Sequence, residues 1–135
     1  MLCAAMALLT VGCEHVEPLV VEPPPEETGP SFQFIQETIF DTSCALAGCH
    51  AGANPPQGMS LSAGVAYANI VNVPSNEQPG VLRIAPGDPA SSYLFQKITG
   101  APSISGAVMP LGRPPLSDEQ INTIREWIEE GAEDN

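Results

Sequence analysis

Two thiols and an imidazole fall within seven residues, Cys44-Ala-Leu-Ala-Gly-Cys49-His50. A cysteine, a short spacer and then Cys-His is the arrangement that captures the vinyl groups of haem as thioethers and leaves the histidine beside the iron. The usual spacer is two residues. Here it is four, Ala45 to Gly48, all small except Leu46, which corresponds to a less common variant of the attachment. The same residues admit three other readings: a Cys44–Cys49 disulfide, part of a zinc site, or two unrelated thiols. Zinc normally takes four N or S ligands, and outside this stretch the chain offers only His15 and, in its N-terminal segment, Cys3 and Cys13. Zinc is therefore poorly supplied. Haem attachment is the leading reading, with the disulfide as its chief rival.

Composition bounds what can surround this stretch. With 135 residues, 43% of them hydrophobic, the chain has room for one domain with a core and a tail. Acidic residues number 16 against 4 Lys and Arg, for a formal charge of −12. Binding a phosphate backbone needs clustered basic side chains, so nucleic acid is not an expected partner. The acidity serves solubility, or else forms a docking face for a basic partner protein.

Residues 1–13 are apolar and uncharged up to Gly12, and Leu8-Leu9-Thr10-Val11-Gly12-Cys13 resembles a bacterial lipoprotein signal ending at the lipid-bearing cysteine. The run is too short to cross a bilayer as a helix, which takes about 20 apolar residues. Acylation of Cys13 is the expectation, with an ordinary cleaved signal or a short buried helix as alternatives. Residues 14–30 hold five prolines and five glutamates and no aromatic residue. A stretch of that composition cannot repay its ordering entropy and should form an extended, disordered linker, in which His15 is a solvated side chain. Cys44 and Cys49 are then the pair left to the domain.

The domain is expected over residues 31–135. Ser31 can cap a helix through Phe40 that packs Phe32, Ile35 and Ile39, with Phe34 and Phe40 as further candidates, and that leads into Cys44. A short helix is expected over 62–71. A further helix over 90–98 would take Asp88 as its cap and Pro89 as its first residue, burying Tyr93, Leu94 and Ile98. Arg83, one of only four cations, precedes that turn; it is either a surface charge or the partner of a haem propionate. Residues 99–115 read as a loop carrying Met109-Pro110. The last helix has the clearest signals: Leu116 and Ile121 as a hydrophobic staple, Ser117-Asp-Glu-Gln120 as a capping box, an apolar stripe of Ile121, Ile124 and Ile128 edged by Trp127, and Gly131 as its stop. No repeat and no strand pattern is visible, so the expected class is all-α, with about four to five short helices.

Taken in order along the chain, Cys44 to His50, Pro86-Gly-Asp-Pro89 with Ser92-Tyr-Leu94, Met109-Pro110, and Pro115-Leu-Ser117 leading to Trp127-Ile-Glu-Glu-Gly-Ala132 resemble the small c-type cytochrome domains of planctomycetes and other bacteria. The resemblance spans Phe32 to Ala132. It implies helices wrapped around one haem c, thioethers at Cys44 and Cys49, His50 as proximal ligand, and Met109, the loop methionine ahead of the final helix, as distal ligand. Chemistry agrees: a thioether is a soft, neutral ligand that raises the potential and suits electron transfer. The rival, Met59, lies only nine residues after His50, a short reach to the opposite haem face, and is expected to pack in the core.

The implied function is an electron carrier, not an enzyme in itself, anchored by lipid in the periplasm or at the outer membrane or cell surface and exchanging electrons with redox partner proteins through a charged or haem-edge surface. No Ser-His-Asp set or phosphate-binding glycine loop suggests catalysis. Three alternatives remain: a copper-binding protein using Cys49, His50 and Met109, a haem subunit of a larger oxidoreductase, and a haem-free lipoprotein stapled by a Cys44–Cys49 disulfide.

Overall fold

A computed structural model describes residues 29–135; the segments read as signal and most of the linker, with Cys3, Cys13 and His15, lie outside the described residues. Among the described residues the structure is helical, without strands. Helix α1, Phe32–Ile35, begins at Ser31, whose hydroxyl accepts the Phe34 N–H at 3.1 Å. The chain then runs on without a break as a π-helical segment, Gln36–Cys44. Bonds from residue i to i+5 widen each turn, so Ile35, Phe40 and Ala45, five residues apart, share one face against the core. The expected helix through Phe40 thus reaches Cys44. Phe34, named as a packing candidate, is instead 52% exposed, because it falls on the opposite face.

A single 3₁₀ turn, Pro56–Gly58, follows the Cys/His stretch. Helix α2 is Ala66–Ile70, shorter than expected because Ser62 to Val65 form a turn. Helix α3 is Tyr93–Thr99, not 90–98. The Tyr93 and Leu94 N–H groups donate to the carbonyls of Leu82 and Arg83 at 2.9 and 3.0 Å, so the Pro89–Ser92 turn cannot continue into the helix. Asp88 caps only that turn, through the Ser91 N–H at 3.0 Å. Isolated bridges Val71–Ile84, Pro74–Leu82 and Leu82–Ser92 fasten the segments between α2 and α3 to each other.

Helix α4, Asp118–Glu129, is the longest α-helix described. Both halves of its capping box form: Ser117 Oγ accepts the Gln120 N–H at 3.2 Å, and Gln120 Oε1 accepts the Ser117 N–H at 3.0 Å. At its other end Ala132 N–H reaches Trp127 O at 2.8 Å and Gly131 N–H reaches Ile128 O at 3.1 Å, a Schellman closure that needs a positive φ, met by Gly131 at +111°. Trp127 does not edge the apolar stripe; it is 1% exposed and sits at the centre of the core with Ile124 and Ile128, its indole N–H donating to Glu133 O at 2.8 Å. That single core joins α1, the π-helical segment, α2, α3 and α4. Among the described residues no helix is long and apolar enough to cross a membrane.

These placements separate two kinds of loss. Ser117→Ala should lower the unfolding free energy by about 1 kcal/mol, the worth of one N-cap, and Trp127→Ala by about 3–5 kcal/mol, the cost of a large core cavity. Chemical denaturation followed by far-UV circular dichroism measures both, and a Trp127 loss no larger than that of Ser117 would contradict the central position of the indole.

Candidate functional site

The π-helical segment ends at Cys44, and the residues after it fold back in a tight turn. Cys49 N–H donates to Leu46 O at 2.9 Å and His50 N–H to Cys44 O at 3.1 Å. Gly48 makes the reversal with φ of +81°, a conformation that a side chain there would strain. Cys44, Cys49 and His50 are all half-buried, and the two cysteines are free thiols. Burial, reinforced by the neighbouring Cys49, pushes the Cys44 thiol up to about 11, while Arg113 pulls it down.

His50 is held at two points. Its carbonyl accepts the Leu61 N–H at 2.8 Å, and its Nδ1 lies 3.1 Å from the Met59 carbonyl. A carbonyl oxygen only accepts, so the proton of this bond sits on Nδ1, and in the neutral ring Nε2 carries the lone pair. That is the tautomer of a metal-ligating imidazole whose second nitrogen is fixed by a backbone carbonyl. The contact also sets the Met59 backbone beside His50.

Behind Met59 the chain is fastened by Arg83. Its guanidinium donates to the carbonyls of Asn69 at 2.8 Å, Gln57 at 2.9 Å and Gly58 at 3.4 Å. At 6% exposure Arg83 is not a surface charge; burial lowers its pKa, and the three carbonyls compensate for part of the lost hydration. Met109 N–H donates to Lys97 O at 2.9 Å, bringing the 99–115 loop against the end of α3.

These segments enclose one pocket of ≈ 290 Å³. Cys44, Cys49, His50, Met109 and Arg83 all line it, as does Met59, although Cys44 and Met109 are far apart in the chain. Its walls include Phe40, Leu61, Leu94, Ile98, Leu116 and Ile124. Of the protein's four cationic side chains, Arg83, Lys97 and Arg113 line the pocket; of the described carboxylates, only Glu77 does. In so acidic a chain, the pocket gathers the positive charge.

Comparison with protein-family models, with curated proteins and with solved structures returned no match. The site therefore rests on its own chemistry. Among the described residues no three His, Cys, Asp or Glu side chains are grouped to hold a bare metal ion. What the pocket presents is one oriented imidazole, two thioethers, two thiols, apolar walls and three cations.

Sequence reasoning did not single out Lys97, Glu77 and Tyr93 as parts of the site. Lys97 Nζ lies 3.1 Å from Glu77 Oε2 and donates to Ser105 O at 2.7 Å; the Tyr93 hydroxyl donates to Glu77 Oε2 at 2.9 Å and accepts the Ser105 N–H at 3.0 Å. The available signal was Lys97 itself, one of four cations, placed between Leu94 and Ile98 on the apolar face of a short helix.

The raised pKa of Cys44 has a kinetic consequence, because only the thiolate is alkylated. In protein produced without haem, the rate of Cys44 modification by iodoacetamide should climb through a midpoint of about 11. Peptide mass spectrometry across a pH series measures it. A midpoint near that of a free thiol, about 8.5, would show that Cys44 is not buried as described.

Proposed function

We propose that this chain is a c-type cytochrome, an electron carrier with one covalently attached haem rather than an enzyme. Cys44 and Cys49 would hold the haem as thioethers, and His50 and Met109 would ligate its iron. The observation that carries this reading is convergence: four residues suited to those roles, brought from two distant parts of the chain, line one apolar-walled pocket. The donor set fits an iron that already has four ring nitrogens and needs one imidazole and one thioether more. The charges fit as well, because haem carries two propionates and the pocket has three cations against one carboxylate. Arg83 has five N–H donors, of which three meet backbone carbonyls, which leaves two for a propionate.

When bound, the haem supplies one-electron iron chemistry; the chain's own residues supply orientation and a dry surround. The Met59 carbonyl holds the Nδ1 proton and so keeps His50 Nε2 available. The apolar walls exclude water, and a neutral sulfur ligand favours the reduced, ferrous state. The Met59 backbone is committed to His50, since its carbonyl is the His50 acceptor, whereas Met109 arrives on a separate loop and would supply the sulfur ligand.

The same reading makes the carrier a lipoprotein of the periplasm, outer membrane or cell surface, tethered by acylated Cys13 through the Pro/Glu-rich linker and serving redox partner proteins. Cys13→Ser should then release the protein from the membrane fraction with its spectrum unchanged. Continued membrane association would contradict the anchor.

Ligand substitution tests the iron environment. In ferric protein from a host competent for haem attachment, a weak near-infrared band from sulfur ligation should be present, persist in Met59→Ala and vanish in Met109→Ala. The reduction potential should fall in the latter, since axial identity tunes haem across roughly 0.8 V. Loss of the band in Met59→Ala instead would move the distal ligand to Met59.

A further inference from the structure

The loop that carries Met109 has little of its own to hold it. Among the described residues, segment 106–115 makes one hydrogen bond, from Met109 N–H to the Lys97 carbonyl. The nearest other restraint is at Ser105, gripped at both ends: its N–H meets the Tyr93 hydroxyl at 3.0 Å and its carbonyl meets Lys97 Nζ at 2.7 Å. Both gripping groups converge on one oxygen, Glu77 Oε2, at 2.9 Å from Tyr93 and 3.1 Å from Lys97. The Lys97 side chain is only 8% exposed, so its ammonium must stay paired, and it cannot swing into water without opening the cluster. All three side chains line the pocket.

We propose that Lys97, Tyr93 and Glu77 form a clamp that holds the Met109 loop in place and thereby sets how easily Met109, as iron ligand, would be displaced. The inference rests on Met109 being that ligand. The three are positioning residues: they act on Ser105 and on the Met109 backbone, not on the iron. Lys97 is the hub, since its carbonyl holds Met109 and its ammonium holds Ser105. Loosening the clamp raises the fraction of molecules with the sulfur withdrawn, and an exogenous ligand, which binds only that fraction, binds tighter in proportion.

The test uses ferric holoprotein and imidazole as the competing ligand. Two variants are compared with wild type: Tyr93→Phe, which removes only the hydroxyl, and Lys97→Met combined with Glu77→Gln, which removes the ammonium without leaving an unpaired carboxylate. Each should carry a full complement of covalent haem, show a weakened near-infrared sulfur band, and bind imidazole about three- to tenfold tighter, the range that one net hydrogen bond supports. Ser117→Ala, which weakens α4 alone, serves as the stability control and should bind imidazole as wild type does. Unchanged imidazole affinity in both clamp variants, or an equal gain in Ser117→Ala, overturns the clamp and leaves Met109 as ligand. A wild-type protein without the sulfur band overturns the ligand assignment, and the clamp with it.

Discussion

The ring of Phe32 is the joint on which the described structure turns. It meets Tyr67 at 5.3 Å and Phe40 at 6.2 Å edge-on, and lies tilted against Trp127 at 5.4 Å, joining the first helix, α2 and α4 in one contact. Edge-to-face pairs add to the apolar area they bury, and the polar parts of the same side chains are also used. Tyr67 donates to Ala132 O at 3.0 Å, Trp127 to Glu133 O at 2.8 Å, and the Phe32 and Gln33 N–H groups to Asn135 at 2.8 and 3.0 Å. The start of α1 is thus pinned to the residues after α4, and from it the π-helical segment runs to Cys44 in the pocket wall.

From there the site is built by loops tied back to helices. Arg83 fastens the Gln57–Gly58 turn, which precedes the Met59 carbonyl that orients His50. Lys97 fastens Ser105 through its ammonium and Met109 through its carbonyl. Two buried cations thus organise two loops that line the pocket, each through neutral backbone carbonyls, and one also through a carboxylate. The arrangement separates charge within an acidic chain: α4 and the residues after it carry Asp118, Glu119, Glu126, Glu129, Glu130, Glu133 and Asp134, while three of the four cations face the pocket.

Much of this was legible in residue order because local rules dominate it. Ser31 and Ser117 announce their helices through side chains that can satisfy orphan N–H groups, and both do so. The pairing of two thiols with an imidazole is local too. What was not legible depends on contacts between distant segments. The start of α3 is set by the Leu82 and Arg83 carbonyls, not by Asp88 and Pro89. The π-helical turn is set by how Phe40 and Ala45 must meet the core, and the exposure of Phe34 follows from the same facing. Arg83 and Lys97 are buried because unpaired carbonyls from other loops need donors, a demand that appears only once those loops are folded.

The central claim is that Cys44 and Cys49 hold a haem, and the mass of the denatured protein tests it most directly. Chain purified from a host with haem-attachment machinery, then unfolded in acid and digested, should yield a peptide spanning Cys44 to His50 heavier by one haem, with neither cysteine open to alkylation. The same peptide lighter by two hydrogens, the mark of a Cys44–Cys49 disulfide, or carrying two alkylated thiols, would contradict the account.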